Sequence, residues 1–254
     1  MHTTFDLVWY AAERTPDHPA LVDDRTDRRL TYRQMIAEVD IIAAGLADRG
    51  VRSGSRFATV LPNFYEHCLI ILALARLGAV PALINARLTP AEVAQLVEDG
   101  AMDGAIILPN EDLAKAVTDV LPGGAPLLSI GPVKGGEDFA DCRGDATSLP
   151  TIPKPDREDI TFIFYTSGTT GLPKGVELSH RTTEHRILWL ATQAGFRHGN
   201  HNNALGFMPL SHAIGFYGVF LAALGYGGTY YVQSAFNPVE AVEMIEQHGI
   251  TYMF

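Results

Sequence analysis

An α/β fold with mostly parallel, doubly wound sheets flanked by helices is what the sequence predicts, on three observations. Short, uniformly apolar runs such as "AVPALIN", "GAIIL" and "PLLSI" alternate with amphipathic segments of helix length. Uniform rather than alternating hydrophobicity marks strands covered on both faces, which is the condition of a parallel sheet. Capping residues stand where those helices should begin, and the 47% apolar share of 254 residues is enough for a sizeable core, whether in one large domain or two smaller lobes.

Taken in order, "LTYRQMIAEVDIIAAGLADRG" reads as an amphipathic helix capped by Thr31 and ended at Gly50. "RFATVLP" reads as a buried strand and "NFYEHCLIILALARLG" as the helix after it. "AVPALIN" is the next strand, followed by "TPAEVAQLVEDG", with Thr89 as N-cap, Pro90 at the first helical position and Gly100 closing the helix. "GAIIL", "EDLAKAVTDVLPG" and "PLLSI" continue the alternation. From Gly131 to about Arg157 the composition turns rich in Gly, Pro and Asp without apolar periodicity. That stretch predicts an extended surface connection and a lobe boundary, giving a first lobe at 1–157 and the start of a second at 158–254. "DITFIFYTS" restarts with a buried strand, "GVEL" is a further extended piece, and Ser179 is the natural N-cap for "HRTTEHRILWLATQAG".

Composition excludes some functions. A formal charge of −10 argues against a nucleic-acid surface, which requires clustered Lys and Arg. Cys68 and Cys142 form neither a disulfide framework nor a zinc spacing, which points to a reducing, cytoplasmic setting. The first residues lack a basic start followed by an apolar run, so no signal peptide is expected. No transmembrane segment is expected either. "CLIILALARLGAVPALI" is broken by Arg76 and Pro81, and the uncharged stretch from Ala204 to Val239 is interrupted by Pro209, His212 and glycines, as in a buried helix and strand.

The chemistry is concentrated in "TSGTTGLPKG". Gly168, Gly171 and Gly175 let main-chain amides approach a ligand; Thr166, Ser167, Thr169 and Thr170 add hydroxyls, and Lys174 adds a mobile positive charge. Donors of this density suit an anion with many acceptor oxygens, such as a polyphosphate. The Walker pattern fails: counted from Gly168, Pro173 takes the second glycine position and Gly175 rather than Ser or Thr follows the lysine. The surroundings read as strand–loop–strand, not as a loop feeding a helix N-terminus.

"YTSGTTGLPKGVELSH" closely resembles the phosphate-loop signature of the adenylate-forming (AMP-binding) superfamily. That superfamily comprises acyl-CoA and aryl-CoA synthetases, peptide-synthetase adenylation domains and luciferases. "TPDHPALVDDRTDRRLTYRQM", "LARLGAVPALINARLTPAEVAQLVEDG" and "FMPLSHAIGF" resemble further segments of the family, so the likeness runs from about Phe5 to the last residue. It implies that a carboxylate attacks the α-phosphate of ATP, giving an acyl-adenylate that is passed to a thiol, usually coenzyme A, with Mg²⁺ supporting the phosphates. It also implies that Thr166, Ser167, Gly168, Thr169, Thr170 and Gly171 wrap the β- and γ-phosphates while Lys174 neutralises charge. On the residues alone, His212 reads more plainly as a core histidine bonded to backbone. The resemblance reverses this, placing His212 beside the acyl carboxylate and the thiol tunnel, with Ala213, Ile214, Gly215, Phe216 and Tyr217 lining an acyl pocket. Peptide-synthetase domains carry an aspartate here to pair the substrate ammonium; this stretch has no acid, which disfavours amino-acid substrates.

The resemblance thus implies the acyl-CoA synthetase branch, acting on a fatty or aryl acid. Two alternatives stay open: transfer to a different acceptor, such as a carrier protein or oxygen, and a non-catalytic nucleotide-binding module. No protein metal site is assigned. His180, His185, His198 and His201 fall short of the fuller ligand set a zinc site uses and read as solvated. Cys68 reads as a buried structural thiol. The family's adenine, ribose and second-lysine elements find no match in these residues. The expectation is therefore an incomplete N-terminal domain of a chain about twice as long, unable to form adenylate by itself. No pattern speaks to oligomeric state.

Overall fold

The computed structural model describes residues 3–166, 173–198 and 202–254. Its seven-stranded sheet contains β3 (Arg56–Val60), β4 (Val80–Leu83), β5 (Gly104–Ile107), β6 (Leu127–Ser129), β7 (Glu137–Asp138), β8 (Ile160–Thr166) and β9 (Lys174–Ser179). They lie in the order β7-β6-β5-β3-β4-β8-β9. The four-stranded sheet has the order β10-β11-β1-β2, built from β1 (Pro19–Asp23), β2 (Arg28–Thr31), β10 (Asn203–Gly206) and β11 (Thr229–Val232). Neighbours are parallel except at β1–β2 and β8–β9, which are antiparallel edge pairs.

The helices are α1 (Thr4–Arg14), α2 (Tyr32–Asp48), α3 (Tyr65–Arg76), α4 (Pro90–Asp99), α5 (Glu111–Thr118), α6 (His180–Gln193), α7 (Ala222–Gly225) and α8 (Pro238–His248), with a π-helix at Ile214–Leu221 leading into α7. The main core holds side chains of α1, α2, α3, α6, the π-helix and α7 between the two sheets. A second core lies under α4 and α5 on the outer face of the seven-stranded sheet, and a small third one under α8 on the outer face of the other sheet. The layers therefore run helix–sheet–helix–sheet–helix. The near-complete burial of β3, β4 and β5, and of Thr161–Phe164 within β8, is what their uniform hydrophobicity demands.

Cap chemistry places the helix starts where the sequence puts them. Thr31 and Thr89 each close a capping box, with Gln34 and Glu92 respectively, and Ser179 accepts from the Thr182 amide at the start of α6. Gly100 does close α4, but through space rather than backbone conformation. A Cβ there would lie 2.3 Å from Met102 Cε and 2.6 Å from the Tyr165 hydroxyl, and the left-handed turn falls on Ala101 instead, at φ 48°. The 131–157 connection is not bare. It contains β7 and two short 3₁₀ turns, and it buries Phe139 and Cys142. Both sheets draw strands from either side of residue 157, where the sequence suggested a lobe boundary: β8 pairs with β4, and β11 pairs with β1. β1 and β2 went unpredicted because each is short and carries charged or partly exposed residues.

Candidate functional site

β8 and β9 pair as the antiparallel hairpin that brackets the glycine- and hydroxyl-rich segment. Ser167, Gly168, Thr169, Thr170 and Gly171 lie outside the described residues. The two described members of the predicted set, Thr166 and Lys174, are cross-strand partners at the mouth of the hairpin, and both are exposed. Directly opposed residues project from the same face of a sheet, so the hydroxyl and the ammonium leave the hairpin on one side. Period-two alternation puts Phe162 and Phe164 on that face too, while Ile163 and Tyr165 take the other.

The opposite face anchors the hairpin. The Tyr165 hydroxyl donates to the Leu96 carbonyl at 3.0 Å, and burial pushes its pKa up to about 12, so it remains a neutral donor. Arg56 spans Glu177 of β9 at 2.7 Å and the Gly100 carbonyl at 3.2 Å. Tyr165, Arg56, Glu177 and Gly100, with Asp99 and Pro173, line a cleft of about 550 Å³, and Lys174, at the hairpin mouth where the two faces meet, borders it as well.

His212 lies in the loop between β10 and the π-helix and is exposed. Its amide donates to the Pro209 carbonyl at 2.9 Å, and its carbonyl accepts from the Phe216 amide at 3.0 Å. Phe216, a turn later, is fully buried, with its ring edge-on to Phe162 (4.6 Å) and Phe164 (5.5 Å). Tyr217 packs beside Phe164 as well, at 5.6 Å. The helix that follows His212 is thus seated on the face of β8 from which Thr166 projects. Of the five residues assigned to an acyl lining, Ala213 and Ile214 are exposed, while Gly215, Phe216 and Tyr217 are buried in packed core. Gly215 is there for clearance, since a Cβ would lie 2.4 Å from the Pro209 carbonyl oxygen and 2.6 Å from that of Met208. π-helical turns are uncommon and recur at functional sites; here one begins two residues after His212.

Sequence reasoning missed the turn that supports this loop from beneath. β3 ends at Val60 and α3 starts only at Tyr65, so Asn63 and Phe64 are not helical. Phe64 holds the N-cap position without a side-chain bond, and the Asn63 carboxamide reaches instead across to the other sheet. Behind it, the fully buried His67 faces the Pro62 carbonyl through Nδ1 (3.0 Å) and the Thr59 hydroxyl through Nε2 (3.1 Å). A carbonyl opposite Nδ1 requires a proton there, which leaves Nε2 to accept from Thr59. Burial holds this ring neutral, lowering its pKa from 6.5 to about 4.

The unfolded chain therefore binds the His67 proton near 6.5 and the folded one only near 4. The stabilisation is complete above 6.5 and drains away as pH falls through this window, by up to about 3 kcal/mol. Denaturant unfolding of wild type and His67→Gln between about pH 4 and 7 checks it. Wild-type stability should fall more steeply with acid, and parallel curves would refute the neutral-histidine assignment.

The remaining candidates scatter. His198 stacks on Tyr226 at 4.5 Å, His201 lies outside the described residues, and His180 and His185 sit at separate points of α6. Among the described residues no group of three or more His, Cys, Asp or Glu side chains is placed to hold a metal. Both cysteines are buried and free, and burial pushes the Cys142 thiol up to about 11. Among the described residues no helix is long and apolar enough to cross a membrane.

Fold and site together define an α/β protein in which the β8–β9 hairpin presents Thr166 and Lys174 at its mouth. The sequence profile of the AMP-binding enzyme family matches residues 8–254, and the chain belongs to that family. It is 41% identical over 259 residues to a 4-chlorobenzoate–CoA ligase of Arthrobacter sp., covering all of this chain and 48% of the relative. It is 38% identical over 263 residues to the 4-chlorobenzoate–CoA ligase of Pseudomonas sp. (strain CBS-3), covering all of this chain and 47% of that protein. The chain thus spans about half the length of these curated relatives. The crystal structure of a putative long-chain-fatty-acid CoA ligase from Rhodopseudomonas palustris CGA009 superimposes with a TM-score of 0.88 at 28% identity. That match covers 99% of this chain and 62% of the other. The mostly parallel sheets with flanking helices are those of the adenylate-forming enzymes' N-terminal domains.

Proposed function

We propose that this chain is the N-terminal part of an acid–thiol ligase that activates an aryl or fatty acid with ATP and passes the acyl group from the adenylate to coenzyme A. The observation that carries the reading is the pairing of Thr166 with Lys174 at the mouth of a glycine-rich hairpin, on the strand face where the His212 helix is seated. An exposed hydroxyl and an exposed ammonium leaving one side of the turn fit a triphosphate tail. Bound ATP supplies the α-phosphorus electrophile and the pyrophosphate leaving group. Lys174 holds positive charge against the phosphoryl oxygens, and Thr166 with the five residues after it orients them. Mg²⁺ characteristically binds through substrate phosphates with one or two carboxylates, so the phosphates held here would bring most of its ligands. His212 hydrogen-bonds the carboxylate on the acid side. The names of the two curated relatives put aryl acids ahead of fatty acids, and those same names support coenzyme A as acceptor. Residues 1–254 alone hold phosphates but do not complete adenylation.

The test is ATP–pyrophosphate exchange by the full-length protein with 4-chlorobenzoate, benzoate, 4-coumarate, octanoate and palmitate, followed by thioester formation with coenzyme A. Acid-dependent exchange and a thioester product are expected. No exchange with any acid overturns the reading, and exchange without thioester assigns another acceptor. Turnover by residues 1–254 alone would overturn the incompleteness claim.

A further inference from the structure

We propose that Asn63 is a positioning residue for acid activation: its carboxamide pins the loop after β10 and so fixes where His212 is presented. The proposal rests on the reading of His212 given above. Asn63 is 3% exposed, and its polar atoms are spent on one target. Nδ2 donates to the Gly206 carbonyl at 3.1 Å and to the Met208 carbonyl at 2.7 Å, while Oδ1 accepts from the Leu210 amide at 2.8 Å. Two carbonyls face the nitrogen and one N–H faces the oxygen, so the amide orientation is dictated by its partners. All three bonds cross 143 to 147 residues of sequence, and none serves the helix that Asn63 precedes.

The loop so gripped is short. It leaves β10 at Gly206, is held at Met208 and Leu210, and turns back through the His212 amide to the Pro209 carbonyl. From above, Gly215 of the π-helix closes on the carbonyls of Met208 and Pro209, where any side chain would collide. From below, Asn63 stands on a turn whose Pro62 carbonyl is bonded by the buried His67. His212 is therefore two residues beyond the last Asn63 bond, on backbone clamped from both sides. Asn63 also joins the C-terminal ends of β3 and β10, one from each sheet. Ligands of doubly wound folds bind beyond such strand ends. A buried carboxamide satisfied in this way restricts the loop to one arrangement; with one partner removed, two carbonyls or an amide lose their bonds in a dry site.

Asn63→Asp in the full-length protein is the primary test. The change is isosteric and keeps the acceptor for Leu210, but it sets an oxygen against two carbonyls. With 4-chlorobenzoate as probe, or whichever acid of the panel gives the fastest exchange, the KM for the acid should rise about tenfold while the KM for ATP stays unchanged. The defect should shrink as pH is lowered from about 8 to 6, because protonation of the introduced carboxylate restores a donor for one carbonyl. In a His212→Ala background the same substitution should cost less than half as much on a logarithmic scale, since both changes act on one loop. A merely structural role would lower the active fraction alike at every pH, leave both KM values alone and add fully to His212→Ala; that result overturns the proposal. A wild-type measurement covers failure of the variant to fold. The Leu210 amide and the Asn63 side-chain NH₂ should exchange with solvent slowly and at a common rate, and fast exchange at Leu210 overturns the anchoring. Absence of acid-dependent exchange in wild type sinks the reading of His212 and takes the proposal with it. Acid activation that is indifferent to Asn63→Asp sinks the proposal alone.

Discussion

Lys174→Ala in the full-length protein is expected to lower kcat/KM for adenylation roughly a hundred- to a thousandfold, the usual cost of removing one preorganised donor from developing phosphoryl charge. The effect should fall on kcat and on pyrophosphate affinity, and leave the KM for the acid within about twofold, because Lys174 begins β9 opposite Thr166 and not in the His212 loop. Fold stability should not change, since the side chain is exposed and no ion pair holds it among the described residues. Exchange kinetics with the acid and ATP varied separately would check both parts. A selective rise in the acid KM would move Lys174 to the wrong half of the reaction.

Phe216→Ala is expected to destabilise the protein by roughly 3–5 kcal/mol, the range for removing a fully buried aromatic side chain. Phe216 has no exposed surface and lies against Phe162, Phe164, Tyr217 and Phe220, with ring centroids 4.6 to 6.1 Å away. Edge-to-face pairs of this kind contribute beyond area alone. The residue also seats the π-helix on β8, so its loss should loosen the coupling between the His212 loop and the hairpin. Denaturant unfolding gives the answer, with Phe216→Leu as the milder comparison. A loss under about 1 kcal/mol accompanied by altered acid preference would restore Phe216 to the acyl lining that its place after His212 suggested.

Local chemistry was the legible part of the sequence. Thr31, Thr89 and Ser179 announce their helices because a cap is decided within four residues, and the buried strands announce themselves because both faces are apolar. The hairpin was readable for the same reason: donors and glycines cluster within the ten residues from Thr166 to Gly175. What stayed hidden depends on distant partners. Asn63 looks like the first residue of a helix until the carbonyls of Gly206 and Met208 are brought to it. Gly206 looks like any glycine in a strand, yet a Cβ there would lie 2.1 Å from the Tyr230 ring. Phe216 read as pocket lining because an apolar run after a site histidine suits either a pocket or a core, and only the rings on β8 decide between them. The pairing of β11 with β1 unites strands about two hundred residues apart, which no local pattern encodes.

In the proposed reaction the segment between β8 and β9 holds the phosphates of ATP. Amide hydrogen exchange across residues 166–175 of the full-length protein, with and without Mg·ATP, tests it most directly. Strong ATP-dependent protection of these amides is expected, reproduced in part by Mg·pyrophosphate and largely lost in Lys174→Ala. ATP bound at saturation with exchange across 166–175 unaltered would contradict it.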